Sequence, residues 1–285
     1  MITSLAPAKI NLFLHVTGKR ADGYHFLESL VVFADYGDDI SVEQADGLRL
    51  EISGPFARDI DAGPDNLVLK AARLLQQECG ARPGARIHLI KRLPVASGIG
   101  GGSSDAATTL KLLNRLWRLD ITDERLAKLG LSLGADVPVC LLEKPALMRG
   151  IGEELQEVKI SDISSILLVN CKKQVSTAEV FRRLTLQNTG EANIIPPVGA
   201  VELAALLEGT RNDLQGPAIA IVPQIADVIS VVEHLDGCQL ARMSGSGATV
   251  FGLFAEAEAA EAAARRIGRQ HPDWWVSAAR IMTGA

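Results

Sequence analysis

A run of glycines and serines stands between two segments of contrasting pattern. Within residues 93–107, four of the five positions 98–102 are glycine, and Ser103 and Ser104 follow directly. The preceding segment, 85–91, alternates as a strand does, and apolar residues recur at helical spacing after the serines. A strand, a glycine-rich turn and a helix N-terminus in this order form an anion site, because unpaired N–H groups and the positive end of the helix dipole face the turn. The run therefore predicts a phosphate-binding loop, and an ordinary loop with a serine cap is the alternative.

Two well-known phosphate loops fit this run poorly. A Walker loop needs lysine followed by serine or threonine, and no lysine occurs between Lys91 and Lys111. A dinucleotide fingerprint needs an acidic residue at the end of the next strand, about 20 residues on. Asp120 and Asp123 instead fall between two helical patterns. The run therefore predicts a third kind of phosphate loop, in which the Ser104 hydroxyl is suited to capping, to a phosphate or to Mg²⁺.

Length and composition bound the class of protein. The 285 residues are 47% hydrophobic and 22% charged, which is typical of a globular protein of two domains. A net charge of −5 favours no nucleic-acid or membrane surface. The four cysteines show no C-x-x-C spacing, which argues against zinc and disulfides and favours a cytoplasmic location. The N-terminus shows no signal-peptide pattern, and apolar runs are too short to span a membrane.

The rest of the chain supplies the elements that would position the loop. Alternating or apolar runs predict strands at 10–16, 27–34, 40–44, 48–53, 137–142, 166–169, 249–254 and 275–281. Helical patterns follow Asn66, Thr122 and the capping box at 176–179, and recur at 201–208, 223–235 and 257–266. Residues 187–199 are predicted to form a loop. Patterning weakens around 150–165, so we place a domain boundary there, giving domains 1–157 and 158–285. The order of elements in the second domain suggests a small α+β sandwich with helices on one face.

Five segments together resemble a superfamily of small-molecule kinases that includes galactokinase, homoserine kinase, mevalonate kinase and phosphomevalonate kinase. They are Pro7–Leu12, Arg20–His25, Leu93–Ala107, Gly134–Pro138 and Ser244–Phe251. The resemblance spans nearly the whole chain and implies an α+β, two-domain kinase fold. The N-terminal, ATP-binding domain would be like the second domain of ribosomal protein S5. The C-terminal domain would be ferredoxin-like, with the active site between the two.

The resemblance also implies an activity. Asp22–His25, beside Lys9 and Asn11, is similar to the segment of those members that use ATP and Mg²⁺ to phosphorylate the 2-hydroxyl of a cytidine diphosphate-linked methylerythritol, in the non-mevalonate route to isoprenoid precursors. The partners implied are these small molecules, with no nucleic acid or membrane, in a monomer or homodimer. One alternative is a kinase of the same superfamily acting on homoserine or a mevalonate-type acceptor. Another is a nucleotide-dependent sensor without catalysis.

The resemblance assigns roles to particular residues. Lys9 and Asp136 would be catalytic, with Asn11 hydrogen-bonded to the aspartate and in contact with substrate. By residue type alone, Lys9 would be a solvated surface lysine and Asp136 a helix-end or turn aspartate. Asn66 would approach the adenine, or only cap a helix. The other ATP contacts would come from Pro94, Val95, Ala96, Ser97, Gly98, Ile99, Gly100, Gly101, Gly102, Ser103 and Ser104, with Ser104 also a candidate for the metal.

A pyrimidine pocket is implied in the same way. Tyr24 would stack on the cytosine, His25 would read its edge, and Phe181 would form the second face of the stack. The alternatives are a half-buried strand tyrosine, a loop histidine with its hydrogen bonds satisfied, and a core phenylalanine. Gly245, Ser246 and Gly247, in the second glycine cluster, would also contact substrate.

Overall fold

The computed structural model describes residues 1–160, 165–185, 200–201 and 203–283, and the chain divides into two compact units. Unit 1 comprises Met1–Ala8, Gly37–Val95 and Gly100–Glu143, and unit 2 comprises Lys9–Tyr36, Ala96–Ile99 and Lys144–Ala285. Each unit therefore draws on three separate stretches of chain. The boundary between residues 157 and 158 stays a prediction.

Strands and helices occur mostly in short runs of one type along the described chain. The strands are β1 (Ile2–Asn11), β2 (His15–Lys19), β3 (His25–Ala45), β4 (Leu48–Ser53), β5 (Gly84–Ile90), β6 (Ala146–Arg149), β7 (Glu154–Glu157), β8 (Lys159–Ile160), β9 (Ser165–Asn170), β10 (Ala200–Val201), β11 (Leu240–Met243), β12 (Val250–Phe254) and β13 (Trp275–Met282). The helices are α1 (Leu67–Glu78), α2 (Gly101–Trp117), α3 (Asp123–Leu131), α4 (Val137–Leu142), α5 (Thr177–Arg183), α6 (Leu203–Leu207), α7 (Gln215–Ile221), α8 (Gln224–Glu233) and α9 (Ala257–Gln270).

Unit 1 is built around a β-α-β unit. Strands β4 and β5 are parallel neighbours, and the chain between them forms α1, as parallel strands require a crossover connection. Strand β5 also pairs antiparallel with the segment Asp39–Ala45 of β3. Its alternation places Ile87 and Leu89 in the core, so the strand predicted at 85–91 is confirmed. This strand delivers the chain to the glycine–serine run.

The helices of unit 1 bury apolar stripes against one another. Helix α1 packs against α2, and α4 packs against both α2 and α3. The Thr122 side chain caps α3 by accepting a hydrogen bond from the Arg125 N–H at 3.4 Å, which confirms the helix start predicted there. The glycine–serine run is thus followed by a helix that is packed along its length.

One element is the opposite of its prediction. Residues 137–142 were expected to form a strand, and they form helix α4. Pro138 occupies the first turn of this helix, where the lack of an N–H costs nothing. Residues Val137 to Leu141 are all buried. A short apolar run that is buried on every side carries no periodicity by which helix and strand could be told apart.

Unit 2 contains a sheet with strand order β11-β12-β9-β13-β3, in which successive neighbours are antiparallel. The apolar residues of α8 and α9 pack into one core cluster with Leu167 and Val169 of β9. Side chains two apart on a strand share a face, so both helices cover the same face of this sheet. The predicted α+β arrangement of the later elements is confirmed.

The strand predicted at 10–16 is interrupted. Strand β1 ends at Asn11 and β2 begins at His15. Between them, the Leu14 N–H donates to the Arg211 carbonyl at 3.0 Å. The loop predicted at 187–199 lies outside the described residues. Within the part of the chain that the structure describes, no helix is both long and apolar enough to cross a membrane.

Candidate active site

Three buried charged side chains meet in unit 1, where β5 ends and α2 begins. The Lys91 ammonium donates to Asp38 Oδ2 at 2.5 Å and to Asp105 Oδ2 at 2.7 Å. Asp38 Oδ1 accepts the backbone N–H groups of Arg92 at 2.6 Å and Leu93 at 2.9 Å. The triad of Lys91, Asp38 and Asp105 therefore links the end of the strand, the start of the glycine–serine run and the N-terminal part of the helix.

The two carboxylates of this triad differ in their surroundings. Asp38 accepts hydrogen bonds from three donors, whereas Asp105 Oδ1 has no partner among the described residues. Burial therefore dominates for Asp105 and raises the pKa of its carboxyl from an ordinary 3.8 to about 7, with Lys91 opposing and Asp38 adding to the rise. Burial would lower the pKa of the Lys91 ammonium, but the two carboxylates outweigh burial and raise that pKa. The raised pKa means that the Asp105 carboxyl binds a proton more readily than a carboxyl exposed to water does.

Helix α2 begins with a glycine that cannot cap it. Gly100 lies at the N-cap with φ +63°, and a glycine has no side chain to accept the N–H groups of the first turn. Ser104 N–H is the first to bond within the helix, to the Gly100 carbonyl at 2.8 Å. By helix geometry, the N–H groups of residues 101–103 are left to other acceptors. This helix start has the properties of an anion site.

The same turn offers one group to a metal. Ser104 Oγ is buried and has no hydrogen-bond partner among the described residues. Across those residues, no cluster of three or more His, Cys, Asp or Glu side chains is placed to hold a metal ion. Mg²⁺ in phosphoryl-transfer sites is held by substrate phosphates, water and one or two carboxylates, and in some phosphate loops a serine or threonine hydroxyl is a further ligand. A lone hydroxyl at the start of α2 fits that requirement.

The middle of the glycine–serine run, Ala96–Ile99, belongs to unit 2, where it lies against the second glycine cluster. Ser244 Oγ donates to the Gly98 carbonyl at 2.9 Å, and Thr249 N–H donates to the Ser97 carbonyl at 3.0 Å. The Asn11 N–H in turn donates to Ser244 Oγ at 3.1 Å. Ser244 therefore connects the predicted phosphate loop to the end of β1.

Only glycine allows this approach at two positions. Gly98 has φ +76°, and a Cβ there would lie 2.4 Å from the Ser244 carbonyl oxygen. Gly245 has φ +53°, and its Cβ would lie 2.7 Å from the Gly98 carbonyl oxygen. Real Cβ atoms do not approach backbone this closely, and the left-handed conformation is strained for other residues. The glycines at 98 and 245 are therefore required by the packing of the two segments.

The predicted catalytic residues occupy defined positions in each unit. Lys9, in unit 2, is only 3% exposed, and its N–H donates to the Ile99 carbonyl at 3.0 Å, so it is not a solvated surface lysine. The Asn11 side-chain amide donates to Ser29 Oγ at 2.8 Å. Asp136, in unit 1, is half-buried at the N-cap position of α4. The catalytic roles of Lys9 and Asp136 stay predictions.

An aromatic pair forms in unit 2 at the predicted pyrimidine pocket. The His25 and Phe181 rings are stacked, with centroids 4.9 Å apart and an angle of 24° between planes. Burial, followed by the nearby Lys19, lowers the pKa of the His25 imidazole, so the neutral ring is favoured at neutral pH. Phe181 is half-buried and also packs against the core of unit 2. Tyr24, the neighbour of His25 in the chain, is 59% exposed.

The second glycine cluster is linked to the helix that carries Phe181. Ser246 Oγ and Thr177 Oγ lie 2.7 Å apart, and Thr177 is the first residue of α5. Gly245 and Gly247 flank this serine in the turn that holds Gly98. Substrate contacts from these three residues of the turn stay predictions.

Asn66 has its side chain engaged within unit 1. Its Oδ1 accepts the Val68 N–H at 2.9 Å, and its Nδ2 donates to the Asp61 carbonyl at 2.7 Å. Asn66 is therefore the N-cap of α1, which is the alternative left open by the sequence. A contact with adenine stays a prediction.

Sequence reasoning missed residues that hold the two loops. Lys91 and Asp38 are separated by more than fifty positions, and nothing near Asp38 in the sequence distinguishes it from Asp35 and Asp39 as the partner of a lysine. Asn212 was also missed, although its amide donates to the carbonyls of Met243 at 2.7 Å and Gly245 at 2.8 Å. A short polar segment that interrupts two helical patterns was the signal available there.

Comparison with known proteins shows which families and relatives the chain is similar to. The GHMP kinases N terminal domain family matches residues 66–144, and the GHMP kinases C terminal family matches residues 200–273. A 4-diphosphocytidyl-2-C-methyl-D-erythritol kinase from Cereibacter sphaeroides is 50% identical, over 99% of this chain and 100% of its own length. One from Brucella melitensis is 51% identical, over 96% of this chain and 93% of its own length.

Solved structures give the same result. A crystal structure of 4-(cytidine 5'-diphospho)-2C-methyl-D-erythritol kinase superposes with a TM-score of 0.81 at 33% identity, covering 99% of this chain and 100% of the other. A mevalonate kinase structure superposes with a TM-score of 0.72 at 14% identity, over the full length of both chains, and this shows the shared fold alone. The chain belongs to the GHMP kinases and, within them, to the family of 4-diphosphocytidyl-2-C-methyl-D-erythritol kinases.

Proposed function

We propose that this kinase transfers the γ-phosphoryl group of ATP to the 2-hydroxyl of 4-diphosphocytidyl-2-C-methyl-D-erythritol, a step of the non-mevalonate route to isoprenoid precursors. Similarity over nearly the whole chain to relatives of that name supports the proposal. The structural observation that carries it is the stack of His25 on Phe181 beside an exposed Tyr24. Aromatic faces of this kind bind a pyrimidine base by stacking.

The nucleotide would bind through the glycine–serine run. The N–H groups that lack an acceptor within α2 at its start suit the charged oxygens of a triphosphate, and the helix dipole adds to the attraction. Gly101 leaves room for the Lys91 side chain, since a Cβ there would lie 3.1 Å from Lys91 Nζ. The ion triad beneath this turn holds it in place before ATP arrives, which reduces the ordering that binding would otherwise require.

Phosphoryl transfer asks the protein mainly to position the reactants and to neutralise charge. Asp136 would accept or orient the proton of the acceptor hydroxyl, and Lys9 would offset negative charge on the transferring group. Ser104 would provide a hydroxyl to Mg²⁺. When bound, that ion neutralises charge on the β- and γ-phosphates.

A pyrimidine pocket separates this proposal from the alternatives within the superfamily. Homoserine and mevalonate-type acceptors carry no base for Tyr24 or the His25–Phe181 stack to bind. A nucleotide-dependent sensor would have no need of a buried lysine at position 9, which is only 3% exposed. The oligomeric state that we propose, monomer or homodimer, is measured directly by light scattering on the purified chain.

The test is an ADP-release assay on purified protein with three acceptors: the cytidyl methylerythritol, homoserine and mevalonate. Turnover should require the cytidyl acceptor, and NMR of the product should locate the new phosphate on the 2-hydroxyl. The Asp136→Asn variant serves as the control for contaminating kinases, because it should lose the activity. Turnover of homoserine or mevalonate instead would reject the cytidyl acceptor, and ATP binding without turnover would favour a sensor.

A further inference from the structure

A short polar segment of unit 2, Thr210–Leu214, is bound to the chain that follows β1. The Leu14 N–H donates to the Arg211 carbonyl at 3.0 Å, and the Asp213 N–H donates to the Leu14 carbonyl at 2.9 Å. The Arg211 N–H donates to His15 Nε2 at 3.1 Å. These contacts fix the segment to the stretch that begins immediately after Asn11.

Asn212 lies at the centre of that segment, and both polar atoms of its side chain form hydrogen bonds. Its Nδ2 donates to the carbonyls of Met243 at 2.7 Å and Gly245 at 2.8 Å, and its Oδ1 accepts the Leu214 N–H at 2.9 Å. The residue is 7% exposed, so water does not readily replace these partners. Two donors and one acceptor in this arrangement match a primary amide, whereas a carboxylate would oppose both carbonyl oxygens.

The two carbonyls bound by Asn212 flank Ser244. That serine accepts the Asn11 N–H at 3.1 Å and donates to the Gly98 carbonyl at 2.9 Å. The Ser244 backbone cannot shift without displacing one of these two carbonyls, and the Asn212 amide holds both of them. Asn212 therefore holds the backbone on both sides of Ser244, from which the Ser244 side chain extends.

Neighbouring side chains support the same turn from the same side. The Met243 N–H donates to Gln215 Oε1 at 3.1 Å. The Arg242 guanidinium donates to the Leu12 carbonyl at 2.7 Å and to the Thr210 carbonyl at 2.8 Å. The turn is held at both of its ends by residues 210–215, with Asn212 at the midpoint.

We propose that Asn212 is a positioning residue for phosphoryl transfer, which holds Ser244 so that the glycine–serine run and the end of β1 keep their relative placement within unit 2. Asn212 acts through Ser244 on Asn11 and Gly98. The inference rests on the proposed function for its kinetic consequence, while its structural consequence is measured without turnover.

The test compares Asn212→Asp with Asn114→Asp. Asn114 makes a matched pair of contacts in unit 1, donating to the Ile121 carbonyl at 2.9 Å and accepting the Ile121 N–H at 3.2 Å. Each substitution keeps the shape and the acceptor and removes the donor. Because a lost buried hydrogen bond is equivalent to about tenfold in an equilibrium constant, Asn212→Asp should lower kcat/KM for the cytidyl acceptor at least about tenfold. Asn114→Asp should lower Tm by a similar amount to Asn212→Asp, while its kcat/KM stays within about twofold of that of the unchanged protein.

Hydrogen exchange provides the second readout. The backbone N–H of Asn11 should exchange about tenfold faster in Asn212→Asp than in the unchanged protein. Its exchange rate should not change in Asn114→Asp. The Leu12 amide, which donates to the Leu30 carbonyl, is the internal reference. Asn212→Ser, which keeps one donor, should give intermediate values and replaces Asn212→Asp if the latter does not fold.

The kinetic and exchange measurements together distinguish a positioning role of Asn212 from a structural role and from failure of the proposed function. Normal exchange at Asn11 together with normal kinetics in Asn212→Asp overturns the inference. Equal kinetic losses in the two variants, in proportion to Tm, reduce Asn212 to a structural residue and also overturn it. If the unchanged protein does not use the cytidyl acceptor, the proposed function has failed, and accelerated exchange at Asn11 still establishes that Asn212 holds the turn.

Discussion

The Lys91 ammonium lies 2.7 Å from the Asp105 carboxylate and joins the end of β5 to the N-terminal part of α2. A single lysine thus serves two buried carboxylates, and Asp38 takes most of the hydrogen bonds. The shortage of donors at Asp105 has a consequence for how stability depends on pH.

The free energy of unfolding should fall as pH rises through about 7. Between pH 3.8 and about 7 the folded state retains a proton on Asp105 that the unfolded state has released, so stability decreases with pH. The contribution is complete below about pH 4 and is lost above the folded pKa. Thermal melts from about pH 5 to about pH 8 should show the unchanged protein losing roughly 3 kcal/mol relative to Asp105→Asn. Parallel curves for the two proteins would mean that Asp105 is ionised throughout.

Replacing Ser104 should separate stability from activity. The Ser104 hydroxyl is buried and without a partner among the described residues, so Ser104→Ala removes an unsatisfied polar group and should leave Tm unchanged or raise it. Turnover should fall about 10- to 100-fold, because a hydrogen bond to a charged phosphate or a metal contact is lost.

Ser165→Ala is the matched control for this change. Ser165 Oγ is also buried and without a partner within the described chain, and it lies on β9 away from the glycine–serine run in sequence. Its Tm response should resemble that of Ser104→Ala, with normal turnover. Normal turnover in Ser104→Ala as well would remove the hydroxyl from the site.

The Asp136→Asn change should act on the chemical step. In the described structure its side chain does not cap α4, so the helix should keep its stability. A missing general base usually costs about 10²–10⁴-fold, and kcat should fall by that range with KM for ATP little changed. Rapid-quench measurement of the first turnover checks this.

A capping threonine gives the contrasting behaviour. Thr122 does cap its helix, so Thr122→Ala should lower the free energy of unfolding by about 1 kcal/mol and leave kcat unaltered. A kcat near the starting value in Asp136→Asn would transfer the base role to another acid.

Removing the Tyr24 ring should affect one substrate only. A base stacked on an aromatic ring contributes about 1–3 kcal/mol, so Tyr24→Ala should lower kcat/KM for the cytidyl acceptor by about 5- to 150-fold. ATP affinity and Tm should not change, since the side chain is 59% exposed. Steady-state kinetics at saturating ATP measure the effect.

Two further variants define what the ring does. Tyr24→Phe should be mild, because the stacking face survives. Phe26→Ala removes the other exposed aromatic of this hairpin, 41% exposed, and should leave the kinetics as they are. Equal losses in Tyr24→Ala and Phe26→Ala would indicate a general surface effect in place of a pyrimidine pocket.

Local chemistry explains which features could be predicted. The glycine–serine run could be recognised from the sequence because a close approach of backbone requires glycine at neighbouring positions. Gly98 indeed lies against the Ser244 carbonyl. Thr122 and Asn66 could be predicted as caps because each bonds an N–H only two or three residues further along the chain. Helix α4 could not be predicted, because six apolar residues carry too little periodicity.

Long-range pairing explains which features could not. Lys91 meets Asp38 only because β3 and β5 are neighbours in the sheet, and Asn212 reaches Met243 only through the fold of unit 2. In both cases the residue type is ordinary, and its partner is set by how distant segments of the chain pack together. Such contacts follow from the tertiary structure and leave no pattern in the sequence nearby.

With no side-chain cap at the start of α2 in the described structure, a nucleotide bound there would add to the stability of the folded state. Gly100 gives the helix no side-chain acceptor, so a bound triphosphate would serve as the missing cap. A ligand that binds only the folded chain stabilises it by about 2.7 kcal/mol at 100 times its dissociation constant. The lifetime of this kinase against proteolysis would therefore follow the energy charge of its surroundings, and nucleotide depletion would shorten it.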